Sequence, residues 1–220
     1  MNSIAAFPRV ASGAPSAAAK QINAVLARAD ARVRRAAAGC LSRGKNRSDS
    51  DWSRKITVTM QGPRYLSLVA SDDFYCAGAA HPNTSTVALV FDLETGKLID
   101  WAKLLPGLVQ STGTGQAGDG SILGTIRSDR LSMFFRNAGK SSGRDPECGE
   151  ALKDTELDFI LWPDAKQDGL VVEAQLPHAI AACGAAIPIP AETLRTFGVN
   201  AGLLDAIGTA RRQCCGDRAR

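Results

Sequence analysis

Aromatic residues make up only 5% of the chain, and histidine occurs twice in 220 residues. A core short of rings has to be built from Ala, Val, Leu and Ile, and a metal or acid–base site has few imidazoles to draw on. No apolar run reaches the roughly 18 residues that a membrane-spanning helix needs. None of the six cysteines forms C-x-x-C, and neither histidine lies near a cysteine pair, so no zinc site is expected. There is no G-x-G-x-x-G opening a helix, no G-x-x-x-x-G-K-[ST], and no strand–serine–helix nucleophile elbow. Nucleotide binding, serine-hydrolase chemistry and metal catalysis therefore lack their usual sequence marks. No catalytic set, metal or cofactor is expected.

What is present is an ordinary globular composition, 45% apolar and 22% charged. A chain of this length buries roughly 70% of its unfolded surface. The net charge of +4 is unevenly spread: residues 1–60 hold 11 Lys and Arg against 3 Asp and Glu, whereas residues 61–173 hold 10 against 16. The basic first quarter has no interleaved aromatics, which argues against a nucleic-acid surface and for a solvated helix face followed by a polar loop.

Six widely spaced cysteines, an even number, point to disulfides and an oxidising compartment. They allow fifteen pairings. Cys40–Cys76 and Cys148–Cys183 are preferred, because each brackets a helix-to-strand transition. Cys214 and Cys215 are expected to reach different partners or to stay free. The expected location is periplasmic or secreted, with any signal peptide removed, since MNSIAAFPRV lacks a basic and then apolar leader.

Periodicity divides the chain. Ile22, Val25, Leu26, Ala29, Val33 and Ala37 recur at helical spacing and predict a helix over 19–38. From Lys55 the period becomes two, and 55–102 reads as a meander of antiparallel strands with a Thr95-Gly96 turn. A tight turn is read at Asp72-Asp73, with a further short strand after it. Residues 111–120 read as a glycine-rich loop, Pro146 as the start of a short helix, and 155–176 as two strands. The final segment reads as helices, the last capped by Asn200.

His81 follows small residues and precedes a strand. It is read as a structural tie between backbone segments, in preference to a base or a ligand contact. His178, among apolar neighbours, is read as a satisfied buried histidine. Asp72, Asp73, Asp92 and Glu94 are the carboxylates from which a hydrolase pair would be drawn.

One block is more specific. Tyr75, then Gly78-Ala79-Ala80-His81, then Phe91-Asp92-Leu93-Glu94-Thr95-Gly96-Lys97 and Leu104-Leu105 resembles the DUF3298-like extracytoplasmic domain. That family is shared by the Bacillus lysozyme-sensing anti-sigma factor, domains accompanying peptidoglycan deacetylases and a mycobacterial secreted antigen. Phe7-Pro8 resembles its opening strand, and Ile187-Pro188-Ile189-Pro190 resembles a late segment. Ala79 stands where the family has a second glycine. The resemblance implies a single α+β domain over 1–198, a twisted and mainly antiparallel sheet with packed helices, and a helical tail over 199–220. Tyr75, Gly78, His81, Phe91, Asp92, Thr95, Gly96 and Lys97 would be its structural motif. It implies a non-enzymatic exported binding or sensing domain. The partner would be a lysozyme-like or other envelope protein, or peptidoglycan. An envelope glycan or ester hydrolase is the alternative.

Overall fold

The computed structural model describes residues 4–11, 15–43, 49–141 and 146–215. The chain is α+β, with two antiparallel sheets. It divides into two units. One comprises residues 1–99 with 116–123, the other 100–115 with 124–220.

The first unit opens with Phe7 to Val10, which form no strand. This segment is held by side chains of the following helix: the Phe7 amide donates to Asp30 (3.0 Å), and Asn23 bonds both the amide and the carbonyl of Val10. Helix α1 spans Ser16–Leu41, longer at both ends than its periodicity predicts. Its buried residues are Ala18, Ile22, Leu26, Ala29, Asp30, Val33, Ala37 and Cys40, an i, i+3, i+4 stripe. Asp30 lies within that stripe because Arg9 and the Phe7 amide satisfy it.

Strands β1 (Asp51–Gln61), β2 (Tyr65–Tyr75) and β3 (Asn83–Asp92) follow as a meander in the order β1-β2-β3. β2 is central and buried on both faces from Tyr65 to Ala70, as expected of a strand with two neighbours. No turn interrupts it at Asp72-Asp73. Both residues stay in register with β1 and β3, Asp72 facing inward and Asp73 outward, so the single strand continues to Tyr75. The polar stretch before Lys55 is likewise partly strand, since β1 begins at Asp51; residues 44–48 of that expected loop lie outside the described residues.

The second unit contains α2 (Trp101–Leu104), most of β4 (Ser111–Gln116) and of β5 (Ile122–Arg127), α3 (Asp129–Ser141), α4 (Pro146–Lys153), β6 (Asp158–Asp164) and β7 (Gly169–Gln175). A 3₁₀ helix (His178–Gly184), β8 (Ile187–Pro190), α5 (Ala191–Thr196) and α6 (Ala201–Cys215) complete it. The sheet order is β4-β5-β6-β7-β8. The glycine-rich 111–120 segment is thus mostly an edge strand and not a loop. Its G-x-G-x-x-G letters, 113–118, run from β4 into a turn and then β5, so no helix N-terminus stands ready for a phosphate. β6 and β7 carry the core, with Phe159, Leu161, Leu170 and Val172 almost fully buried. The last helix also packs into this unit, burying Leu203, Leu204, Ile207 and Ala210, and the Asn200 carboxamide accepts the Gly202 amide at 2.8 Å.

Candidate functional site

The residues singled out by family resemblance fall at opposite ends of the three-stranded sheet. Tyr65 pairs with Asp92 at one end and Phe74 with Asn83 at the other. About ten residues of strand separate the ends, roughly 30 Å.

At one end, Asp92, Thr95, Gly96 and Lys97 form a single tight turn. The Asp92 carboxylate accepts the Glu94 and Thr95 amides (2.8 and 3.1 Å), and its other oxygen accepts Arg64 (2.8 Å). Arg64 also reaches Glu94 at 2.9 Å. Burial acts to raise the Asp92 pKa, but Arg64 and the two amides outweigh it and hold the carboxyl below its usual value. Gly96 has φ +71°, and a Cβ there would lie 2.6 Å from the Ala18 carbonyl oxygen on α1. Phe91, fully buried, bridges to Leu98 across the turn. Every one of these contacts closes backbone or anchors the turn.

At the other end, Tyr75 is the last residue of β2, and Gly78 and His81 lie in the β2–β3 connection. Gly78 takes φ +87°, a conformation that favours glycine. His81 is exposed, with Nδ1 3.3 Å from the Pro82 carbonyl oxygen. The Glu94-Thr95-Gly96 turn lies at the other end of the strands, out of reach of this exposed ring, so of the backbone segments that His81 is read as tying only those at its own end of the sheet are near it. His178 is exposed too, at the first position of the 3₁₀ helix. The preceding Leu-Pro turns the chain outward and removes it from the apolar setting its neighbours suggest.

The four carboxylates considered for hydrolysis do not converge. Asp72 is buried, where it accepts Trp52 Nε1 at 3.0 Å, whereas Asp73 points outward on the other face. Asp92 and Glu94 are tied to Arg64 at the far end. Among the described residues no group of three or more His, Cys, Asp and Glu is placed to hold a metal. The letters GKSSG at 139–143 do fit G-x-S-x-G, but they end a helix instead of following a strand, and 142–143 lie outside the described residues.

The cysteines pair as Cys40–Cys76, Cys148–Cys183 and Cys214–Cys215. The last corrects the expectation of separate partners. Both residues are exposed at the end of α6, and each has the other as its nearest sulfur. No described helix is long and apolar enough to cross a membrane.

A surface with binding character lies in the second unit. Arg130, Met133 and Phe134 of α3 sit at i, i+3 and i+4, and so do Thr193, Thr196 and Phe197 at α5. Together they line an open groove of about 390 Å³. Phe134 meets Phe197 edge-on (centroids 6.3 Å apart), and the Arg130 guanidinium lies 6.0 Å from the Phe197 centroid. Met133 is 59% exposed and adds apolar surface beside the two rings. No carboxylate, histidine or cysteine lines the groove. The sequence signal was available in α3: Leu131 and Phe135 already supply its buried stripe, which leaves Met133 and Phe134 on a second apolar face.

No protein-family model matches the chain, and no curated protein matches it. Among solved structures it is similar to the crystal structure of a DUF3298-family member from Bacteroides fragilis. The identity is 17% and the TM-score 0.45, over 87% of this chain and 69% of that one.

Proposed function

We propose that this chain is a non-enzymatic, exported binding or sensing domain for a protein or cell-envelope ligand, with the α3–α5 groove as its docking surface. The observation that carries this reading is the groove's chemistry: an apolar floor of Met133, Phe134 and Phe197, one cation, and no acid–base pair. Such a surface holds a ligand without a means of cleaving it. Arg130 makes no ion pair among the described residues, and its ring contact leaves the charge uncompensated. The ligand group that fits is an aliphatic or aromatic side chain next to a carboxylate. The disulfides support an exported setting.

Labelled peptides carrying Leu or Phe beside Asp or Glu, titrated by fluorescence anisotropy, test the reading. Binding should weaken at least about tenfold in Phe197→Ala, the loss expected for one aromatic anchor. Arg130→Glu should shift preference to peptides with Lys in place of the acid. Equal binding of both peptide charges by the parent would overturn the assignment. Lysozyme and soluble peptidoglycan fragments are run alongside. Product released from a glycan or ester substrate would replace the binding reading with the hydrolase alternative.

A further inference from the structure

Arg54, Asp72 and Ser85 form one row across the three-stranded sheet. The register places Arg54 opposite Asp72, and Asp72 opposite Ser85, so the three side chains share a face. The Arg54 and Asp72 side chains are 0% exposed. Their nearest approach, Arg54 Nε to Asp72 Oδ1, is 3.7 Å, beyond hydrogen-bond length. Phe7 covers the guanidinium, whose carbon lies 5.0 Å from the ring centroid. Trp52, stacked on Phe74 at 4.4 Å, flanks Asp72.

The turn 117–121 closes the row. A Cβ on Gly118 would overlap the Phe74 ring and lie 3.3 Å from Ser85 Oγ. Asp119, 4% exposed, uses one carboxylate oxygen on the Ser121 amide (2.8 Å), and Arg32 holds the Ser121 hydroxyl at 3.1 Å. Six buried side-chain polar atoms have no hydrogen-bond partner among the described residues. They are all three guanidinium nitrogens of Arg54, Asp72 Oδ2, Ser85 Oγ and Asp119 Oδ2. All belong to this row and its closing turn. A buried guanidinium without hydrogen bonds is costly, and such clusters call for a bound group.

The chemistry of the set selects that group. A metal cation would face the guanidinium. An anion would face Asp72 and Asp119 and leave their oxygens unpaired, since it only accepts. Water donates and accepts, and it bridges polar groups too far apart to bond directly. We propose that Arg54, Asp72 and Ser85, closed over by the turn 117–121, form an internal solvent site whose ordered water links the guanidinium to the carboxylates. One buried water makes about three hydrogen bonds, so six unpartnered atoms correspond to about two molecules.

A crystal structure of the full chain that shows ordered solvent locates the water. Oxygen-17 relaxation dispersion on the same protein counts long-lived molecules in solution. Solvent within hydrogen-bond distance of both Arg54 and Asp72 is expected, together with a loss of about two long-lived molecules in the Arg54→Met/Asp72→Leu double variant. If that variant does not fold, Ser85→Ala is the substitute, with a shortened residence time expected. Density in which Arg54 bonds Asp72 or Asp119 directly, with no solvent between, would overturn the proposal, as would a dry row or unchanged dispersion in the variants.

Discussion

Gly96 stands directly against the backbone of Ala18, with no room for even a methyl group between them. The turn after β3 and the first turn of α1 are fitted together at this point. Gly96→Ala meets two costs: a left-handed φ and an overlap with main chain that cannot swing aside. A loss of about 3 kcal/mol is expected from the two together. Urea unfolding measures it. Gly78→Ala is the control, since Gly78 has a positive φ but open space around its Cβ, and about 1 kcal/mol is expected there.

Two carboxylates of the three-stranded sheet, the buried Asp72 and the turn residue Asp92, should respond to pH with opposite signs. Asp92 has a folded pKa below its unfolded value. Its contribution is present above the unfolded pKa and is lost as pH falls through the folded one. Asp72 has a folded pKa above its unfolded value, because burial and the nearby Asp119 and Asp73 outweigh Trp52 and Arg54. Its contribution is full below the unfolded pKa and is lost as pH rises through the folded one. Asp92→Asn should therefore remove stability at neutral pH and little in acid, and Asp72→Asn should remove a decline seen as pH rises. Unfolding free energies of the three proteins over about pH 3 to 8 decide this. Parallel curves for parent and Asp72→Asn would contradict the assignment.

His81→Ala should change stability by less than about 0.5 kcal/mol, as is usual for a substitution at an exposed position. Denaturant midpoints of parent and variant suffice. A loss above about 2 kcal/mol would restore the structural role that the sequence suggested.

The disulfides should reduce in order of exposure. Cys214 and Cys215 are exposed, whereas Cys40, Cys148 and Cys183 are buried. Limited treatment with a phosphine followed by alkylation and peptide mapping should label 214 and 215 first. Replacing Cys40 and Cys76 together with Ala should cost about 4 kcal/mol on the chain-entropy account of a 36-residue separation. Early labelling of Cys40 would mean that α1 frays from the sheet.

Periodicity carried much of the fold. The stripe from Ile22 to Ala37 was legible because a helix shows its buried face every three or four residues, and β2 was legible as central because it lacks a polar face. What local patterns hid were features set by distant residues. Asp72-Asp73 reads as a turn until Arg54 and Trp52 are seen to accept one of the pair into the interior. Ser111–Gln116 reads as a loop because its pairing with β5, and not its own propensity, makes it a strand. The groove was half visible, in the surplus apolar face of α3. Its other half comes from α5, about 60 residues later, and no local pattern joins them.

The first unit is discontinuous: it takes residues 116–123 in addition to 1–99. A nascent chain that has emerged only as far as Ile99 has its helix and three strands but not Gly118 over Phe74, nor Asp119 and Ser121. Its interior stays open until some twenty further residues have been made, so the closing contacts are of long sequence range and come late. A fragment cut at residue 99 would expose the Trp52–Phe74 stack and invite association through it, which makes the stretch between the two pieces a poor place to divide the gene.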